Sequence, residues 1–87
     1  MDAKLKAKWV KALRSGKYQQ ITNVLHYDNK SFCCLGVLSK VCAIKEDGSL
    51  IYPDNTVLGQ DEQFALAGLN DEGAPFELIA GFINENL

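Results

Sequence analysis

The stretch SFCCLGVLSKVC, residues 31–42, limits the fold of this chain more than any other segment. At about 100° per residue, its apolar side chains cover most of the circumference of a helix and leave one narrow side for small or polar residues. A helix this apolar is stable only when other elements cover it. The sequence therefore predicts a mostly buried helix over residues 33–41, against which the rest of the chain packs.

Three cysteines in this segment, with one histidine upstream, raise the question of a metal or redox site. Zinc needs about four ligands, and Cys33, Cys34, Cys42 and His26 lack the C-x-x-C spacing typical of such sites. Neighbouring helical cysteines point about 100° apart, which disfavours a disulfide between them. Because free cysteine behaves as a small hydrophobic residue, we predict that Cys34 and Cys42 are core residues and that the chain holds no metal and no cofactor.

An enzyme is the hypothesis that the sequence supports least. A hydrolase would have to use Asp71, His26 or Cys33, and the last of these, near a helix start, is the only candidate nucleophile. Adjacent carboxylates such as Asp71 and Glu72 diverge on a helix and reach solvent. No glycine-rich phosphate loop or serine elbow is present. We therefore predict a protein that is not an enzyme and has no catalytic residues.

The remaining segments alternate between helical periodicity and short extended runs bounded by turn residues. Helices are predicted at residues 3–15, 33–41 and 60–70 and from Pro75 onward. A tight turn between two short strands is predicted at residues 28–30, and a turn at residues 46–48 belongs either to a second hairpin or to a strand with a loop. Eighty-seven residues are enough for one small core and not for two. The predicted fold is α+β, a single domain over residues 1–87 with about four short helices packed around a small antiparallel sheet.

The composition is that of an ordinary globular domain, with 47% hydrophobic and 23% charged residues. Lysines interrupt the apolar residues near the N-terminus, so no continuous apolar segment forms a signal peptide or a membrane span. We therefore expect a cytoplasmic protein with no membrane partner.

Charge is divided unevenly along the chain. Residues 1–17 carry a net charge of +5, and the remainder carries −7. Lys4, Lys8 and Lys11 lie on a stripe of the first predicted helix away from its apolar residues, and this stripe is either a solvated face or a surface that binds an anionic partner. A pI near 5.2 argues against binding of duplex nucleic acid.

Three sequence blocks resemble a known family. The blocks are KWVKALRSGKYQQ, FCCLGVLSKV and LAGLNDEGAPFELIAGFINENL, and together they make up about half of the chain. In the same order they resemble W-x-x-A-L-R-S-G-x-Y-x-Q, C-C-L-G-V-L and L-N-D-x-G-x-x-F-x-x-I-A of a family of small proteins encoded by tailed bacteriophages and prophages. The segment 47–60 is shorter than in that family. The resemblance implies a viral protein inside a host cell, and it carries no activity for individual residues.

Two binding functions follow as hypotheses. The first is a protein that blocks a host protein, such as an antiphage defence effector, through Lys4, Lys8 and Lys11. The second is a sponge for a small phosphorylated or cyclic-nucleotide signal, since a guanidinium, aromatic rings and amides follow the first helix closely. Its candidate ligand-binding residues are Arg14, Tyr18, Gln20, Asn23, His26 and Tyr27.

Two of these features have structural alternatives. In the structural alternative to ligand binding, Arg14 caps helix carbonyls or pairs with Asp71, and Tyr18 is half-buried. Small domains often dimerise to enlarge their buried surface, and the apolar C-terminal helix offers Phe76, Phe82 and Leu87 as an interface for a homo-oligomer.

Overall fold

The architecture is four helices and two separate pairs of very short strands. The structure is a computed structural model that describes residues 1–28 and 30–87. In chain order the elements are α1 (Ala3–Arg14), β1 (Gln19–Gln20), β2 (Ser31–Phe32), α2 (Cys34–Cys42), β3 (Lys45–Glu46), β4 (Ser49–Leu50), α3 (Gln60–Asp71) and α4 (Phe76–Asn86). The predicted α+β class and all four predicted helices are confirmed, and the predicted helix boundaries lie within one residue of the observed ones.

Helix α2 is the most enclosed element of the fold. It packs against α1 and α3 and also contacts β2 and β4. Every residue from Cys34 to Ser39 is buried, including the glycine and the serine that the periodicity assigns to the open side. The buried hydroxyl of Ser39 is satisfied because it donates a hydrogen bond to the Ile51 carbonyl at 2.7 Å.

Helix α1 closes the core from the other side by packing against both α4 and α2. Asp2 caps its first turn, since its carboxylate accepts a hydrogen bond from the Leu5 amide at 2.8 Å. Trp9 is fully buried, and its indole N–H donates to the Cys34 carbonyl at 2.9 Å. This bond joins α1 to the first turn of α2 and gives the large aromatic side chain one orientation.

The first strand pair differs from the predicted hairpin. Strands β1 and β2 are parallel, with Gln19 opposite Ser31 and Gln20 opposite Phe32. The predicted antiparallel partner is reduced to a single bridge between His26 and Phe32. Two-residue strands have almost no periodic signal, so their direction could not be obtained from the sequence.

The predicted turn at residues 28–30 is partly described. The Asp28 carboxylate accepts hydrogen bonds from the amides of Lys30 and Ser31, both at 2.8 Å, and these bonds lower the pKa of Asp28 below its usual range. Asn29 lies outside the described residues. The chain reverses direction here because an Asp side chain can close a turn on its own backbone.

The second predicted hairpin is confirmed. Strands β3 and β4 are antiparallel, and Asp47 and Gly48 between them have φ values of 52° and 83°. Two consecutive positive φ angles are what a two-residue hairpin turn requires. The structure thus has one parallel and one antiparallel pair in place of a single antiparallel sheet.

One hydrophobic core is built from all four helices. Its largest fully buried apolar side chains are Trp9, Phe32, Leu35, Leu38, Leu66, Ile79 and Ile83. None of the helices in the described part of the chain combines the length and the apolar character that crossing a bilayer requires.

Gly36 allows the closest backbone approach in this core. A Cβ atom at this position would overlap the carbonyl oxygen of Leu25 and would lie 3.3 Å from the Cβ of Phe32. The same Leu25 carbonyl accepts a hydrogen bond from the Cys33 amide at 3.0 Å, so it cannot move away without losing that bond. The chain before β2 therefore packs directly on α2 only because residue 36 is glycine.

We expect Gly36→Ala to lower the free energy of unfolding by about 2–4 kcal/mol, because the new methyl group forces the Leu25 backbone away from α2. Gly68→Ala is the matched control: Gly68 is also helical, and no atom lies within 4 Å of an added Cβ. It should stabilise by roughly 0.5–1 kcal/mol through the lower chain entropy of alanine. Urea unfolding followed by circular dichroism measures both, and equal effects would contradict the overlap.

Candidate functional site

The buried amide of Asn70 joins three parts of the chain. Its side chain is 0% exposed. Its Oδ1 accepts hydrogen bonds from the Cys34 amide at 3.1 Å and from the Gln20 Nε2 at 3.0 Å, and its Nδ2 donates to the Ile21 carbonyl at 2.8 Å. The amide of Cys34, in the first turn of α2, has no partner within its own helix, so Asn70 satisfies a group that burial would otherwise leave unpaired.

Gln20 extends this arrangement to the start of α4. Besides its bond to Asn70, its Nε2 donates to the Ala74 carbonyl at 2.7 Å, and its Oε1 accepts from the Phe76 amide at 3.1 Å. Both polar atoms of the side chain are therefore engaged inside the protein. Gln20 was a candidate ligand-binding residue, and the structure places it as a link between β1, α3 and α4.

We expect Asn70→Ala to lower the free energy of unfolding by about 3–5 kcal/mol, because it leaves the buried Cys34 amide and the part-buried Ile21 carbonyl without these partners. Asn84→Ala is the control, since Asn84 is exposed on α4 and its side chain makes no hydrogen bond among the described residues. Thermal and urea unfolding compare the two. A loss below 1 kcal/mol for Asn70→Ala would show that the buried amide is not a main support of the fold.

Arg14 and Asn23 lie near α4 and α3 respectively. The Arg14 Nε donates to the Glu77 Oε1 at 3.3 Å in an exposed ion pair, so its partner is Glu77 and not Asp71. The Asp71 carboxylate instead accepts a hydrogen bond from the Asn23 backbone amide at 2.9 Å. Asn23 has a φ of 69°, a conformation that asparagine tolerates better than most residues.

Tyr18 and His26 both pack on the buried ring of Phe32. Tyr18 contacts it edge-on, with ring centroids 5.3 Å apart, and His26 stacks on it at 6.2 Å. Tyr27, next to His26, is 80% exposed.

The six candidate ligand-binding residues are not brought together by any of four surface cavities of the described residues. Among the four surface cavities found there, Arg14 borders two and Tyr18 borders a third. Gln20, Asn23, His26 and Tyr27 border none of the four.

The three cysteines are free thiols, and two of them are buried. Cys33 precedes α2, and its sulfur accepts a hydrogen bond from the Gly36 amide at 3.4 Å; the Cys34 thiol donates to the Leu66 carbonyl at 3.5 Å. Burial raises the pKa of both thiols, and at Cys42 it outweighs the opposing effect of Lys8. A raised pKa keeps the thiols protonated at neutral pH, whereas a nucleophilic cysteine needs the opposite shift.

The buried thiol of Cys34 predicts a specific dependence of stability on pH. Because its folded-state pKa lies above the ordinary value of 9.0, the unfolded chain releases this proton first, and the stabilisation present below pH 9 is lost as pH rises. Between pH 9.5 and 10.5 the free energy of unfolding of Cys34→Ala should fall less steeply than that of the original protein, by about 1 kcal/mol per pH unit. Cys42→Ala, at a half-buried position, should change the slope less.

Metal ligands are not clustered in the part of the chain that the structure describes. No group of three or more His, Cys, Asp or Glu residues there could hold a metal ion.

Two aromatic residues that the sequence interpretation did not select as site residues lie on an exposed groove. Tyr52 and Phe64 are 54% and 66% exposed and border a cavity of about 370 Å³ over Leu35 and Pro53. We call this the aromatic groove. Phe64 lies on α3, and Leu66 already occupies the core-facing side of that helix. This spacing is the sequence signal that points to an exposed Phe64.

The lysines of α1 form a second surface feature. Lys4, Lys8 and Lys11 are exposed. Lys8 and Lys11 border a cavity of about 300 Å³ together with Lys17, Tyr18 and Val41, and with Ala12 and Ser15 between them. We call this the lysine groove. The sequence interpretation identified Lys8, Lys11 and Tyr18 separately and did not include Lys17 or Val41, whose positions depend on how α1 packs against α2.

The residues proposed as a dimer interface are largely used within the chain. Phe76 is buried, and Phe82 and Leu87 are half-buried against the same core. The large apolar side chain of α4 that remains exposed is Leu78.

Comparison with known proteins identifies the family of this chain but assigns it no function. The model of a domain of unknown function, DUF8296, matches residues 1–55, which is more than half of the chain and includes α1, α2 and both strand pairs. No curated protein matches this sequence, and no solved structure matches it. The chain therefore belongs to the DUF8296 family.

Proposed function

We propose that this chain is a phage-encoded binding protein that counteracts a host protein, such as an antiphage defence component, by covering a functional surface of it. The observation that carries this proposal is the cationic face of α1. Lys4, Lys8 and Lys11 are exposed, and none of them has a carboxylate within ion-pair distance among residues 1–28 and 30–87.

The charge arrangement favours an anionic partner. Residues 1–17 carry +5 on a chain whose remainder carries −7, so α1 presents positive charge on an otherwise negative molecule. Such a distribution orients approach to an acidic surface and repels other surfaces, which provides specificity as well as rate.

Binding also accounts better than catalysis for the use of the reactive groups. The buried thiols have raised pKa values, and the amides of Gln20 and Asn70 are engaged in hydrogen bonds. Within the described residues, every buried side-chain nitrogen or oxygen has a hydrogen-bond partner. A catalytic site usually retains polar groups that await a substrate.

The phage context rests on the three sequence blocks, and their residues have clear structural roles. Trp9 binds the Cys34 carbonyl, Gly36 admits the Leu25 carbonyl, and Asn70 and Gln20 link the helices. The resemblance therefore concerns the interior scaffold. Partner recognition is left to the surface, where the lysines of α1 lie.

We expect a host protein to co-purify with the tagged protein and to depend on these lysines. A triple variant, Lys4→Gln, Lys8→Gln and Lys11→Gln, should weaken the interaction roughly tenfold or more, because it removes three exposed charges from the contact. The matched control replaces Lys30, Lys40 and Lys45 by Gln. These three lysines are also exposed, and replacing them removes the same total charge. Quantitative pull-down from lysate, followed by biolayer interferometry on the captured protein, measures both.

Equal weakening by the two triple variants would reduce the interaction to overall charge and would contradict a binding face on α1. Absence of any stoichiometric host partner would contradict the proposed function itself.

A further inference from the structure

The lysine groove is assembled from three separate segments. Lys8 and Lys11 lie one turn apart on α1 and therefore point to the same side. After α1, Gly16 adopts a φ of 76°, which turns the chain so that Lys17 and Tyr18 border the same cavity. Val41, from the last turn of α2, is the third segment's contribution to the lining.

The rim of this groove is cationic without a compensating acid. Three ammonium groups border it, and no carboxylate belongs to its lining. Apart from the lysines and Tyr18, the polar side chain in the lining is Ser15, and its hydroxyl is already hydrogen-bonded. It donates to the Ala12 carbonyl at 2.6 Å and accepts from the Lys17 amide at 3.2 Å. These bonds fix the backbone of Lys17 while its side chain remains exposed.

The floor of the groove is apolar. Ala12 and Val41 are half-buried, and the ring of Tyr18 is held in place by its edge-on contact with Phe32. A partner segment that neutralises the rim can therefore also bury an apolar side chain in the centre, where removal of apolar area from water adds affinity.

We propose that the lysine groove binds an acidic peptide segment of the partner protein. Its carboxylates pair with Lys8, Lys11 and Lys17, and one apolar side chain packs on the floor between α1 and α2. The inference rests on the proposed function and deepens it, because it assigns the site and the chemistry of the partner.

The same geometry disfavours a phosphate-bearing ligand. Phosphate sites typically combine an arginine fork with backbone N–H groups at a helix N-terminus. The lining of this groove contains no arginine and no helix N-terminus, and the nearby Arg14 is paired with Glu77. Separate lysine ammonium groups suit several single carboxylates spaced along a chain better than one concentrated phosphate. The volume, about 300 Å³, is at the lower limit for small-molecule pockets and accommodates a side chain.

The test is a titration of the isotopically labelled protein with the peptide acetyl-Glu-Glu-Phe-Glu-Glu-amide, followed by backbone amide chemical shifts. We expect saturable shifts concentrated at Lys8, Lys11, Lys17, Tyr18 and Val41, with a dissociation constant in the high micromolar to millimolar range. Replacing the central phenylalanine of the peptide by alanine should weaken binding roughly tenfold, because the apolar contact is lost. Added salt should weaken both peptides.

Variants assign the site. Changing Lys8, Lys11 and Lys17 to Gln should weaken binding of the phenylalanine peptide at least about tenfold, whereas changing Lys30, Lys40 and Lys45 to Gln should change it less than about twofold. Both triple variants should keep the melting temperature of the original protein, because these side chains are exposed and make no ion pair among the described residues.

Three outcomes would overturn the inference. Shifts that are absent at low salt, or located elsewhere, would exclude an acidic peptide from this groove. Inorganic pyrophosphate that shifts the same amides with equal or higher affinity would assign the groove to phosphate. Concentration-dependent shifts of the same amides without peptide would assign it to a second copy of this acidic chain.

The two proposals can fail separately. If the lysine variant of α1 loses a host partner but the groove binds no peptide, the proposed function stands and this inference is wrong. If the groove binds the peptide but no host partner depends on the lysines, the peptide site stands and the proposed function is wrong.

Discussion

The hydrogen bonds of the Asn70 side chain tie α3 to α2, to β1 and, through Gln20, to α4. They satisfy the amide of Cys34 at the beginning of the most enclosed helix and hold the segment after β1 through Ile21. Through Gln20 they also fix the start of α4. A buried polar group is favourable only when all its bonds form together, so this amide helps to select one packing of the helices and to exclude shifted ones.

Helical periodicity was sufficient to predict the helices and the exposed side of α1. The apolar spacing of residues 3–15 and the continuous apolar run of residues 33–41 are local signals, and each gave its helix to within one residue. The hairpin at Asp47 and Gly48 was predictable for the same reason, since turn residues act on their own backbone.

The features that depend on distant residues were not predictable. Gln20 and Asn70 are 50 residues apart, and nothing in either segment indicates the other. The approach of the Leu25 carbonyl to Gly36 depends on a loop with no periodic pattern. The lysine groove likewise requires Val41 to face α1, which follows from helix packing and not from the spacing of the lysines. Local signals thus identified the charged stripe, and the tertiary structure supplied its neighbours.

The pairing of α1 with α4 has a consequence for the order in which the molecule can form. Helix α1 packs against α4, and α4 supplies Phe76, Ile79 and Ile83 to the same core. During synthesis the core lacks these side chains until α4 has been made, so a stable core forms only then. A polypeptide interrupted before residue 76 would leave part of the apolar side of α1 uncovered and accessible to chaperones and proteases. Folding of the four helices is therefore cooperative, because α1 and α4, which are distant in sequence, complete the same core.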